Sequence, residues 1–141
     1  LERLKITVKI YADGAARGNP GPSAWAFILM QGEKMLEKKS EYLGMGTNNN
    51  AEYSAILNAL KRAKELKHFE VRVFSDSQLI IKQLNQEWSV RNPNLKKIHT
   101  QIVQILKQFN DAQFIHVPRE NKFIKICDRL CNECLDLRDP S

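Results

Sequence analysis

A chain of 141 residues with 43% apolar and 27% charged side chains is long enough for one domain with a real core, and shows no composition of disorder, collagen or a disulfide scaffold. No apolar run approaches the roughly 18 residues of a membrane span and no signal-like region opens the chain, so the expectation is no membrane contact and a cytoplasmic location. The balance of 22 Lys and Arg against 16 Asp and Glu, formally +6, points only weakly to an anionic partner.

Taken in order, Ile6, Val8, Ile10 and Ala12 alternate and predict a strand over 4–12 that runs into Asp13 and the turn "GAARGNPGP". A second apolar run, Ala24 to Met30, is joined through "QGEK" at 31–34 to a third strand at 35–43, where Lys38, Lys39 and Glu41 mark exposure. "TNNNAEYSAILNALKRAKEL" predicts a helix, because Ala51, Ala55, Ile56, Ala59, Leu60 and Ala63 recur at helical spacing. "FEVRVF" at 69–74 reads as a strand, and "SDSQLIIKQL" opens a short helix with Ser77 as its cap. In "RNPNLKKIHTQIVQILKQF", Asn92 suits a cap and Pro93 a first turn, with Leu95, Ile98, Ile102, Ile105 and Phe109 as the apolar stripe. "AQFIHV" is the last strand, and 124–137 the last helix. Three strands, then helices alternating with strands, predict a mixed sheet with helices packed on it.

Four acids stand where acids are unusual. Asp13 ends the first predicted strand, where its ordinary role is to start a turn before glycine. Glu52 lies in the first turn of the long helix, where a capping box with Asn49 is the ordinary reading. Yet Glu52 shares the inward stripe with Ala55, Ile56, Ala59 and Ala63, and a buried acid needs a partner. Asp76 ends the fourth strand, and Asp128 lies within the last helix, where a helix start and a solvated face are the defaults. Brought close, four carboxylates raise one another's pKa values. A hard divalent cation with oxygen ligands relieves that repulsion, and Mg²⁺ is the natural one.

The segments "YADGAARGNPGP", "TNNNAEYSAILNAL", "VFSDSQLIIKQL", "WSVRNPNL" and "HVPRENKFIKICDRLCNE" together resemble type 1 ribonuclease H, in that family's order, over about residues 5–137. The resemblance implies an α/β, ribonuclease H-like fold: a mixed five-stranded sheet of order 3-2-1-4-5 with helices on both faces, and one domain over 1–141. It implies that Asp13, Glu52, Asp76 and Asp128 hold two Mg²⁺ ions, with Mn²⁺ as the alternative. The implied reaction is cleavage of the RNA strand of an RNA–DNA hybrid by a monomeric enzyme, leaving 5′-phosphate and 3′-hydroxyl ends.

The same resemblance assigns Gly14, Asn19, Asn48 and Asn49 to reading the 2′-hydroxyl across the minor groove. It gives Thr47 and Asn92 a grip on a DNA-strand phosphate, where the plain alternative for both is helix capping. Three departures stand out. The loop "PRENKFIKIC" lacks the His that many members carry, with Arg119 as the substitute; Arg cannot serve as a general base near neutral pH. His116 is expected to face the core from its strand. The basic protrusion of the family has no room between Leu84 and Asn92, and Met45 stands where an arginine often precedes the Thr47 position.

Cys127, Cys131 and Cys134 recur at helical spacing with Leu130, which reads as a buried stripe of reduced thiols rather than zinc ligands. For Trp88 the two readings are stacking on a DNA sugar and closing the core beneath the short helix, and packing is the expectation. Two rival readings are another two-metal nuclease of the same fold and an inactive hybrid-binding module. The glycine-rich and triple-asparagine segments count against the first, and the complete set of four acids against the second.

Overall fold

The computed structural model describes residues 6–138. Five strands and four helices follow in the order β1 (Val8–Ala16), β2 (Gly21–Gln31), β3 (Lys34–Gly46), α1 (Asn48–Glu65), β4 (Glu70–Ser75), α2 (Gln78–Leu84), α3 (Pro93–Leu106), β5 (Asp111–His116) and α4 (Lys122–Arg138). The strands form one sheet of order β3-β2-β1-β4-β5. The meander β1–β2–β3 is antiparallel, while β4 and β5 run parallel to β1. Both the order and the mixed character agree with the expectation from sequence.

The sheet is covered on both faces. Val8, Ile10, Ala12, Trp25, Phe27 and Leu29 turn toward α1, α2 and α3, and Tyr11, Ala24, Ala26, Ile28 and Met30 pack with Ile124, Cys127, Cys131 and Leu135 of α4. This explains why β2 reads as an unbroken apolar run: a strand buried on both faces has no polar side to alternate with. Cys127 and Cys131 are buried as the stripe predicted, and their thiols lie within hydrogen-bond reach of the Tyr11 and Asp13 carbonyls. Burial raises both thiol pKa values, so they stay protonated.

Helix ends account for several polar residues. Thr47 caps α1 in a capping box whose partner is Asn50, so the expected box between Asn49 and Glu52 does not form. Ser77 caps α2 and Asn92 caps α3, with Pro93 in the first turn. Buried Gln83 of α2 accepts a hydrogen bond from Tyr53 of α1 and donates one to the Ser89 carbonyl, tying α2 to the layer beneath the site. Among the described residues, no helix is long and apolar enough to cross a membrane.

The expected strand ends need correction. β2 begins at Gly21 and β3 runs to Gly46, each longer than its sequence pattern. β1 does not stop at Asp13 but continues to Ala16, paired throughout with β2; Asp13 sits opposite Ala26 within the strand. What stops is the pairing with β4, whose last matched residues are Tyr11 and Phe74. Beyond that point β1 is held by β2 alone, and a cleft opens between β1 and β4. β1 leads to one side of the sheet and β4 to the other, the switch in direction that leaves a crevice at strand ends in open α/β sheets.

Candidate active site

Three carboxylates meet at this cleft. Asp13 comes from β1, Glu52 from the second turn of α1 and Asp76 from the residue just past β4, and one oxygen of each lies within 4.8 Å of the others. Glu52 arrives there because Gly14 lets α1 lie directly on β1: a Cβ at Gly14 would stand 2.3 Å from the Ala51 carbonyl carbon. Any side chain at that position would push the helix, and Glu52 with it, away from the strand. Ser75 at the end of β4 donates a hydrogen bond to Glu52 Oε2 at 3.2 Å.

The charges in this cluster are unbalanced. Asp13 is 5% exposed. Burial, reinforced by the charges of Asp76 and Asp128, pushes its pKa up to about 7 against hydrogen bonds with Glu52 and the Gly14 amide. Burial and the Asp13 charge also raise Glu52 well above the usual carboxylate range. The two acids lie close enough that the charge of each disfavours ionisation of the other. A buried cluster of oxygen donors whose ionised forms burial and mutual repulsion disfavour fits a hard divalent cation, which would offset both.

Asp128 stands apart from the tight trio. It is exposed on α4 and faces Asp13 and Asp76 across a cleft of about 170 Å³ lined also by Arg119, Ile124 and Lys125. Arg119 lines this cleft, with its Nε 3.7 Å from Asp76 Oδ2 and its side chain 89% exposed. His116, by contrast, does not face the core. It is exposed at the end of edge strand β5, and its Nε2 lies 3.2 Å from the Asp76 carbonyl oxygen, which can only accept. The ring therefore tethers the backbone beside Asp76.

The residues assigned to the minor groove gather at one rim. Asn19 Oδ1 accepts from the Asn48 amide at 3.1 Å, and Asn48 Oδ1 accepts from the Ala16 amide at 2.9 Å. The β1–β2 turn and the start of α1, including half-buried Asn49, thus form one polar edge beside Gly14. Thr47 and Asn92 are both engaged as caps. The Thr47 hydroxyl donates to Asn50 Oδ1 at 2.8 Å, and Asn92 Oδ1 accepts from Asn94 and Leu95. Met45 is 72% exposed. Trp88 does not close the core: it is 45% exposed, in an open groove with Lys96, His99 and Thr100.

Sequence reasoning passed over Ser75, Lys125, Arg17 and Asn132. Ser75 carried a signal, a small hydroxyl at a strand end beside an acid. Asn132, four residues after Asp128, lies on the same helix face, which is also legible. The contact of Arg17 with α4 spans 115 residues of sequence and leaves no local trace.

Residues 12–134 match the protein family described as Reverse transcriptase-like. Over 130 residues, 92% of this chain, the sequence is 37% identical to Ribonuclease HI of Halobacterium salinarum, and the crystal structure of that organism's RNase H1 superimposes with a TM-score of 0.87. Bifunctional protein Rv2228c of Mycobacterium tuberculosis is 34% identical over 93% of this chain, and the structure of its N-terminal RNase H domain gives a TM-score of 0.88. The chain spans 64% of the Halobacterium protein's length and 36% of the mycobacterial protein's. LC11-RNase H1, crystallised with an RNA/DNA hybrid, is 35% identical over 93% of this chain and 98% of its own, with a TM-score of 0.87. The fold, the cleft of acids and the extent of these matches agree, and the chain belongs to the ribonuclease H family, type 1.

Proposed function

We propose that this chain is an endonuclease that hydrolyses the RNA strand of RNA–DNA hybrids with two Mg²⁺ ions, leaving 5′-phosphate and 3′-hydroxyl ends. The observation that carries this reading is the convergence of Asp13, Glu52 and Asp76 within 4.8 Å at the open end of the β1–β4 seam. Asp128 faces the same cleft. Asp13, Glu52 and Asp76 would hold one ion, with Asp13 and Asp128 reaching the second. When bound, the ions supply activation of a water nucleophile and charge stabilisation at the leaving 3′ oxygen.

The chain's own residues do the rest. Asp13 and Glu52, whose ionised forms are disfavoured by burial, would be held ionised by the cations. Arg119 holds a fixed positive charge at the mouth, where it neutralises the scissile phosphate or eases product release, but it cannot shuttle a proton. Selectivity for hybrid rests on the edge formed by Gly14, Asn19, Asn48 and Asn49, where the Asn19 and Asn48 side-chain oxygens are spent within the edge and their amide nitrogens are the groups that offer hydrogen bonds to 2′-hydroxyls in a wide, shallow minor groove. Thr47 and Asn92 reach a DNA-strand phosphate only through groups that capping leaves over, such as the Asn92 amide nitrogen. The active form is a monomer.

The test is a set of strand-labelled substrates: hybrid, RNA duplex and DNA duplex, each with Mg²⁺, Mn²⁺ or chelator. The expected result is cutting of the RNA strand in hybrid alone, lost in chelator. DNA duplex cut as well as hybrid would overturn the reading.

A further inference from the structure

Asp128 is the one acid of the four that neither burial nor packing holds in place, and its neighbours show what does. It is exposed, one helical turn before Asn132 on α4. Asn132 Nδ2 donates to the Asp128 carbonyl at 3.0 Å and lies 3.4 Å from its carboxylate Oδ1. On its other side, Asn132 presents Oδ1 and its backbone carbonyl to Arg17, at 3.5 and 3.3 Å. Arg17 is fixed in turn by Asp136, one turn further along α4, at 2.5 Å.

Chemistry sets the orientation of this amide. A guanidinium only donates and a carboxylate only accepts, so the Asn132 oxygen must face Arg17 and its nitrogen must face Asp128. Neither Asp nor Leu at 132 could serve both neighbours. Arg17 belongs to the turn that carries Asn19: its backbone amide donates to the Pro22 carbonyl at 2.8 Å. The contact therefore joins the edge assigned to the hybrid with the helix bearing the fourth carboxylate.

We infer that Asn132 is a positioning residue for Asp128, held in register by Arg17, so that the β1–β2 turn and the Asp128 carboxylate are set as one unit. This rests on the proposed function, in which Asp128 serves the metal site. A partner behind a ligand commonly changes metal affinity or activity by about 10–100-fold. Because Asn132 is only half-buried and its contact with Asp128 lies at the exposed surface, the low end is expected.

Three variants and two readouts test it. Asn132→Leu, close in shape but without polar atoms, should lower kcat about tenfold. The Mg²⁺ concentration for half-maximal rate should rise by a similar factor, while KM for hybrid stays within about twofold, since the polar groups of Asn132 are engaged by Asp128 and Arg17. Arg17→Met should shift both in the same direction by a smaller factor, and Arg17→Lys should recover part of the loss. The second readout needs no turnover: the side-chain amide signals of Asn132, followed by nitrogen–proton NMR while Mg²⁺ alone is added. They should move with Mg²⁺ in the wild type and respond less in Arg17→Met. A folded Asn132→Leu with wild-type kcat and Mg²⁺ dependence would overturn the inference. Were that variant to unfold, unchanged Asn132 signals and Mg²⁺ dependence in Arg17→Met would overturn it equally. A wild type that cuts no hybrid would instead refute the proposed function, and the amide signals would still judge the Asn132–Asp128 contact.

Discussion

The two sides of the cleft are built by different means. On the β1 side, Asp13 and Glu52 are held by the core itself: strand pairing, the close approach of α1 at Gly14 and the Ser75 hydroxyl leave them one arrangement. On the α4 side, Asp128 and Arg119 stand in solvent and are oriented by a few polar contacts. The first side carries stored electrostatic cost, and the second carries almost none. In the proposed function the first side is the rigid anchor for cations and the second the adjustable wall for the substrate.

The largest break in that contrast should come from Asp13→Asn. Removing the most buried carboxylate of the cluster is expected to lower activity by about a thousandfold or more. In chelator the same change should raise the melting temperature by a few degrees, because one repelling charge is gone and the shape is kept. Asp128→Asn should also cost activity but leave the melting temperature in chelator nearly unchanged, its charge being already solvated. Thermal melts and single-turnover rates for the two variants read the difference directly. Marked destabilisation by Asp13→Asn would mean that Asp13 is structural.

The stored cost also has a pH signature. In the unfolded chain Asp13 loses its proton near the ordinary value of 3.8, whereas the folded, metal-free protein keeps it up to about 7. Stability from this group is therefore full below pH ~4, falls as pH rises toward 7, and stays low above that. The loss is on the order of 4 kcal/mol, shared with Glu52, whose pKa is raised in the same direction. Mg²⁺ should reverse it, stabilising more at pH 8 than at pH 5. Urea unfolding across that range, with Mg²⁺ and with chelator, checks the sign, and a metal-free protein that grows more stable from pH 5 to 7.5 would contradict it.

The same division explains what the sequence allowed to be read. Glu52 stood out as an acid on an apolar stripe, whereas Asp13, Asp76 and Asp128 each had an ordinary local reading and gained weight only as a set placed at strand ends and on the helices packed against them. The sheet order followed from family resemblance and agrees with the pairing found. Strand limits were less legible. Gly14, Ala15 and Ala16 have no apolar pattern, and only their pairing with β2 keeps them extended. His116 misled because alternation describes a strand flanked on both sides, and the last residue of an edge strand escapes it. That Asp128 stands off from the trio is a matter of distance between elements, which no spacing records.

On the exposed side, Arg119→Ala should lower turnover about tenfold, and Arg119→Lys should retain part of it, since the charge remains and the planar fork is lost. The rate profile should show no ionisation near ~6.5 from an imidazole acting as base. His116→Ala is the companion variant. Its ring holds the Asp76 carbonyl from outside, so a loss of about threefold or less is expected, with little change in stability. Loss of activity in His116→Ala with none in Arg119→Ala would reverse the two assignments.

Salt provides the gentlest probe, because it acts on one side of the cleft and spares the other. Screening weakens the pull of exposed Arg119 on Asp76 and the contacts of surface lysines with phosphates, but hardly reaches a carboxylate as buried as Asp13. Rising KCl at saturating Mg²⁺ should therefore raise KM while leaving kcat nearly constant. The slope measures how many phosphates are neutralised. The segment from Leu84 to Asn92 is too short to add a basic arm, and Thr47 and Asn92 are largely spent on helix ends. A log–log slope of magnitude about 3 or less is the expectation. A steeper slope would show a wider basic surface in use, and Lys96, beside exposed Trp88, is where charge reversal should then flatten it.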